Sequence, residues 1–148
     1  MQKCTLALGC FWKPEENFKN KPGIIQTEVG YAGGHNPKVT YEEVCTGNSG
    51  HAEVVQLTFD ENVIPYKKIL DLFFKMHDPT QKDMQFPDVG TQYRSEIFYE
   101  NETQKKEALE IFDEYNKKHD GKIQTNISEI KNYCRAEEYH QKYIEKNR

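Results

Sequence analysis

The stretch "KCTLALGCFWKPEENFKN", residues 3–20, carries the junction on which the fold turns. Up to Leu8 it alternates in the manner of a half-buried strand, and Gly9 ends the run. From Cys10 the pattern becomes helical to about Asn20. Pro14 fits the first turn, where its missing N–H removes no bond, and Glu15 and Glu16 suit the positive end of the helix dipole. "KPG" at 21–23 stops the helix. A thiol, Cys10, thus stands between strand and helix with two aromatic rings, Phe11 and Trp12, beside it.

Outward from this junction, strands and helices mix. "IIQTEVGYAGG" (24–34) reads as a second strand running into a glycine-rich turn, and "HAEVVQLTFD" (51–60) as a third with clear period-two character. In "IPYKKILDLFFKMHDP" (64–79), Tyr66, Ile69, Leu70 and Phe73 fall at helical spacing, and Asp78-Pro79 closes the helix. "YRSEIFYE" (93–100) is another strand. "NETQKKEALEIFDEYNKKHDG" (101–121) is a long helix, with Asn101 and Gln104 at capping spacing and Gly121 past its end. "KIQTNISEI" (122–130) is a late strand and "AEEYHQKYIEKN" (136–147) a last helix. No repeat, low-complexity segment or long linker divides the chain, so a single domain is expected over residues 1–148. Strict βαβ alternation is missing. The expected class is therefore α+β, a two-layer sandwich of a mixed, mostly antiparallel sheet packed with helices, its core ferredoxin-like.

A net charge of −4 argues against a nucleic-acid partner, which calls for a basic excess or stripe. The local cluster "NKKHDGK" (116–122) is interleaved with acid and reads as a solvated helix end. No apolar run approaches the roughly 18 residues of a membrane span, and the N-terminus lacks a secretory signal pattern. A cytoplasmic location is expected, and the sequon at Asn126 then carries no weight. The four cysteines, Cys4, Cys10, Cys45 and Cys134, form no CxxC and no paired Cys/His knuckle, which counts against a structural zinc. Each thiol taken singly has a plain reading as a small buried hydrophobe.

Cys10 has a second reading. A helix start offers free N–H groups and partial positive charge, which lower a thiol pKa and favour the nucleophilic thiolate. Position alone leaves the two readings open. Phe11 and Trp12 wall an apolar pocket in one reading and pack helix to sheet in the other. Glu53 is in phase with Val55, Leu57 and Phe59, so it projects from the apolar face of its strand. A carboxyl desolvated there holds its proton to higher pH and serves as a general acid; at the mouth of the strand it would instead be solvated. Tyr31, Tyr41 and Tyr93 lie in or beside turns, able to donate phenolic hydrogen bonds or simply to cover surface. His51 reads first as a packed imidazole, and Asp88 in "FPDVGTQYR" fits a turn-former.

At these residues the chain resembles a known family, the A-type peptide methionine sulfoxide reductases. "GCFW" (9–12), "GYAGG" (30–34), "TYEEVCTGNSGHAEVV" (40–55), "HDPTQ" (77–81), "DVGTQYRS" (88–95) and "AEEYHQKYIEKN" (136–147) follow the family's motifs in order, over nearly the whole chain. The resemblance implies an α+β sandwich fold and thiol-dependent reduction of methionine S-sulfoxide, free or in oxidised proteins, through a cysteine sulfenic acid. It implies Cys10 as nucleophile, Glu53 as proton donor, and Tyr41 and Tyr93 as hydrogen-bond donors to the sulfoxide oxygen. Asp88 becomes a supporting carboxylate, and Phe11 and Trp12 cradle the S-methyl group. No metal or cofactor is implied beyond an external thiol: thioredoxin, glutaredoxin or a small thiol.

The chain departs from the family pattern at "YCRAE" (133–137), where Cys134 replaces a bulky or prolyl residue, and after "YIEKNR", where many members carry resolving cysteines in a glycine-rich tail. Two regeneration routes follow, Cys134 as resolving thiol or a one-cysteine cycle served from outside, and the second is favoured. Cys45, in "EEVCTG", is read as structural. Some members place selenocysteine at the nucleophile. Two rival functions stand beside the reductase: a peroxide-reducing thiol protein, which has no need of a buried acid at Glu53, and a metal-binding or interaction module built on Cys10, Cys45 and His51.

Overall fold

The computed structural model describes residues 1–147. Its strands are β1 (Gln2–Leu8), β2 (Ile24–Ala32), β3 (Ala52–Phe59), β4 (Met84–Gln85), β5 (Asp88–Val89), β6 (Ser95–Tyr99), β7 (Asn126–Glu129) and β8 (Cys134–Arg135). Its helices are α1 (Trp12–Phe18), α2 (Tyr41–Cys45), α3 (Tyr66–Met76), α4 (Glu102–Lys118) and α5 (Tyr143–Lys146), with 3-10 turns at Thr91–Tyr93 and Glu138–His140. Six strands form one sheet in the order β7-β6-β1-β3-β2-β8, and β4 and β5 form a separate hairpin. Only the β6–β7 pair is parallel among these neighbours. The central order β6-β1-β3-β2, with α1 joining β1 to β2 and α3 between β3 and β6, is the βαββαβ ferredoxin-like arrangement.

The two faces of this sheet are built differently. Cys4, Leu6 and Leu8 of β1, Val55, Leu57 and Phe59 of β3 and Ile97 of β6 all lie on one face. They are packed under Phe18 of α1, Ile69, Leu70 and Phe73 of α3 and Ala108 and Ile111 of α4. Register enforces the match: Leu6 pairs with Val55 and Val29 with Val55, so large side chains stack across three strands. Each such side chain, fully buried, contributes roughly 1.5–3 kcal/mol before the entropy of ordering it is subtracted. The other face carries small residues, Ala7, Ala32, Ala52 and Val54 with Phe98, covered by Ile130 and Tyr133 of the C-terminal segment.

Two expectations are corrected. The last helix is not continuous: a 3-10 turn ends at His140, Lys142 takes a left-handed φ of 52°, and α5 is only four residues long. The break has a cause in side-chain hydrogen bonding. The Gln141 amide accepts from Val29 N–H at 2.9 Å and donates to the Val29 and Ala136 carbonyls, while Glu15 accepts from Lys142 N–H at 2.7 Å. These bonds hold the chain against β2 and α1 where helical geometry would lift it away. The segment around Tyr41, expected as turn, is the short helix α2. Thr40 and Glu43 close a capping box there, so the S/T-x-x-E signal was present in "TYEE". Tyr31 lies near the end of β2, just before the glycine-rich turn, as the strand reading of 24–34 has it, and is fully buried. Among the described residues no helix is long and apolar enough to cross a membrane.

Candidate active site

Gly9 ends β1 with φ +97°, a conformation suited to glycine, and a Cβ there would lie 2.9 Å from Gln85 Cγ. The turn it permits carries Cys10 off the sheet and into α1. Phe11, the first residue past the thiol, donates its backbone N–H to Glu53 Oε1 at 3.3 Å. Glu53 is 1% exposed and lies on the same face of β3 as Val55 and Leu57, as its sequence phase requires. Its partner across the ladder is Tyr31. The second carboxylate oxygen accepts from Gln92 Nε2 at 3.3 Å. Burial pushes the Glu53 carboxyl up to about 7; the donors from Gln92 and Phe11 work against this, and the Asp88 carboxylate adds to it.

The Cys10 thiol differs from expectation. Burial pushes it up to about 12, and the nearby Glu53 and Asp88 charges add to that rise. The Trp12 backbone N–H does act to lower it, as a helix start should, but one donor is outweighed. The resting group is a thiol. Tyr41 and Tyr93 lie close enough to feel the Glu53 charge and each other or Cys10, and burial raises both phenols, which keeps them neutral donors. Asp88, half-buried on β5 opposite Gln85, faces the same pair of groups, Cys10 and Glu53. Structure therefore brings together Cys10, Glu53, Tyr41, Tyr93 and Asp88 from three stretches of chain, 9–12, 40–55 and 88–95.

Phe11 is buried against Tyr31, ring centroids 5.7 Å apart. Trp12 is half-buried, stacks on Tyr143 at 3.8 Å and donates its indole N–H to His140 Nδ1 at 3.0 Å. Gln92, His140 and Tyr143 were not singled out from sequence. Gln92 stood inside the quoted "DVGTQYRS" beside Tyr93, a usable signal. His140 and Tyr143 likewise stood inside the quoted "AEEYHQKYIEKN", read there only as a last helix.

The other thiols have different surroundings. Cys134 pairs with Tyr31 on the edge strand β8. Its side chain packs against the cluster of Phe11, Val29 and Tyr31, on which Trp12 and Tyr41 also rest. Cys45 is exposed at the end of α2, with Gln92 Nε2 3.5 Å from its sulfur, and so borders the site. Cys4 is buried under the helices. His51 is buried with both ring nitrogens on backbone carbonyls, Ser49 at 3.3 Å and Asn132 at 3.1 Å, as a packed imidazole. Among the described residues no group of three or more His, Cys, Asp and Glu is arranged to hold a metal ion.

Fold and site together define a ferredoxin-like α+β protein in which a buried, proton-holding carboxyl faces a thiol at a strand-to-helix turn. The family model for peptide methionine sulfoxide reductase matches residues 2–148, and the chain belongs to that family. It is 55% identical over 146 residues to the peptide methionine sulfoxide reductase MsrA of Pelagibacter ubique, covering 99% of both chains. Mxr1 from Saccharomyces cerevisiae in reduced form is similar in structure, with a TM-score of 0.93 and 40% identity, over 99% of this chain and 85% of that one. Mxr1 in complex with Trx2 matches with a TM-score of 0.67 and 29% identity, over 96% of this chain and 84% of that one.

Proposed function

We propose that this chain reduces the S epimer of methionine sulfoxide, free or in oxidised protein, to methionine, with Cys10 as nucleophile. Glu53 carries the reading: a carboxyl buried on an apolar face, protonated up to about pH 7 and tied to the Cys10 turn through the Phe11 N–H. A sulfoxide oxygen leaves poorly unless protonated, and its sulfur is electrophilic only when that oxygen draws charge away. Glu53 supplies the proton, and the Tyr41 and Tyr93 hydroxyls donate to the same oxygen in the manner of an oxyanion hole. Cys10 sulfur attacks as its own proton passes to the emptied Glu53 carboxylate. A thiol pushed up to about 12 fits this order, since thiolate forms only as attack proceeds. Thiol and sulfoxide become sulfenic acid and thioether, with the substrate oxygen on Cys10 and every proton accounted for.

Phe11 and Trp12 receive the S-methyl group while Glu53, Tyr41 and Tyr93 bind the oxygen, so an apolar and a polar substituent at sulfur are told apart and one chirality fits. Asp88 supports the high proton affinity of Glu53. The cycle closes when two equivalents of external thiol convert Cys10 sulfenic acid to thiol and water. The Mxr1–Trx2 complex supports a thioredoxin-type dithiol in this role; glutaredoxin or a small thiol offers the same chemistry. The Cys134 thiol is turned to the Val39 and Arg135 carbonyls, which favours this one-cysteine route.

An assay with separated sulfoxide epimers and dithiothreitol tests the reading. Turnover of the S epimer alone, lost in Cys10→Ser, is expected. Equal turnover of both epimers, or activity surviving in Cys10→Ser, would overturn it.

A further inference from the structure

Beside Cys10, away from the aromatic walls, opens a cleft of about 390 Å³. Its lining includes Lys13 and Asn17 from α1 and Gln85, Phe86, Pro87 and Asp88 from the β4–β5 hairpin. Neither Phe11, Trp12, Tyr41, Tyr93 nor Glu53 lines it. The space is therefore additional to the pocket assigned to the methyl group and oxygen, and its volume falls in the roughly 300–1,000 Å³ range of whole-ligand sites. A single methionine side chain does not require it.

The cleft has a chemical polarity. Phe86 is 77% exposed at the hairpin tip, an aromatic ring held out in water beside Pro87. Lys13 is exposed on the opposite wall and makes no ion pair among the described residues. Asn17 lies one helical turn further along α1 on the same wall and offers an amide for main-chain pairing. The Gln85 amide is committed to Asp78, so it does not compete. His77 at the floor is bonded on both nitrogens, to the Phe73 carbonyl and the Ser95 hydroxyl, and adds no charge. The only anion in the lining is Asp88, on the hairpin wall, so an incoming acid is steered to the Lys13 side.

We propose that this cleft is a subsite for the residues flanking an oxidised methionine in a polypeptide: an extended segment with an apolar side chain on Phe86 and an acidic one facing Lys13. This rests on the sulfoxide-reductase reading and adds a preference to it. Protein substrates with acid and an apolar residue beside the sulfoxide are reduced ahead of basic ones, while free methionine sulfoxide is indifferent to the cleft.

The test uses blocked pentapeptides, each with one methionine S-sulfoxide, carrying Glu, Gln or Lys and Phe or Ser on either side of it, with dithiothreitol as reductant. Glu is expected to exceed Lys in kcat/KM by about fivefold, the scale of one exposed charge pair, and the ratio to fall toward one at about 1 M salt. Lys13→Glu reverses the charge order. Phe86→Ser lowers kcat/KM for Phe-flanked peptides by about tenfold and leaves free methionine S-sulfoxide within about twofold. Charge-blind peptides, or variants that slow peptides and free sulfoxide alike, overturn the cleft assignment. Failure of the parent protein on free S-sulfoxide overturns the reductase reading itself.

Discussion

Two carboxyls that flank Tyr31 meet opposite treatment. Glu53, on β3, has two donors, both long at 3.3 Å, and burial carries it up to about 7. Glu137, in the C-terminal segment, is also pushed up by burial. Yet the Tyr41 backbone N–H and the Tyr31 hydroxyl donate to it at 2.8 Å each, and its carboxyl ends below the ordinary range. Close donors stabilise an anion, and distant ones leave burial in charge. One carboxyl anchors α2 and β2 to the C-terminal segment as a fixed charge. The other is left short of donors beside a thiol, with its proton available.

The comparison breaks first on rate. Glu53→Gln should slow the single-turnover step by about a thousandfold at neutral pH, within the range general-acid catalysis supplies, and Glu137→Gln by far less. Rapid-quench measurement of methionine formed per enzyme distinguishes them, and equal losses would erase the proposed difference in role.

The next sharpening is by pH. The active form holds the Glu53 proton, so the single-turnover rate should be flat below about 7 and fall tenfold per unit above it. A profile rising through that range would assign control to thiolate formation instead.

Stability should separate the two carboxyls by sign. Glu53 has a raised pKa in the folded state, so folding loses stability as pH climbs from about 4.5 through about 7, by about 3 kcal/mol in all. Removing that charge by Glu53→Gln should therefore stabilise the protein at pH 8. Glu137 has a lowered pKa, its contribution is present at pH 8, and Glu137→Gln should cost about 1–2 kcal/mol there. Urea titrations of both variants at pH 8 would show midpoints moving in opposite directions.

The smallest effect expected belongs to Cys134→Ser, which should leave thioredoxin-coupled turnover within about twofold. A Cys10–Cys134 bridge trapped in oxidised protein would overturn the one-cysteine route.

What the sequence made legible followed period. Glu53 stood out because a strand has only two faces, and three large apolar residues in phase named the buried one. The junction at Cys10 was readable because Gly9 and Pro14 punctuate it. The thiol's acidity was not: it is set first by burial, with Glu53 and Asp88 from distant stretches adding to it, and these outweigh the helix-start donor, whose lowering effect is present. The C-terminal segment was misread for a similar reason. Its helical pattern is genuine, but Gln141 and Lys142 satisfy groups on Val29 and Glu15, more than a hundred residues away. Helix α2 was simply overlooked, its capping box being visible in "TYEE".

Gly9 has a consequence for redesign. Because the Gln85 side chain of the β4–β5 hairpin rests on bare backbone there, the loop bearing Phe86 and the residue before Cys10 are geared together with only that side chain between them. Selectivity can be retuned at the hairpin's tip. Position 9 itself has no spare room, and a methyl group added there would push the hairpin's base away and disturb thiol and cleft at once.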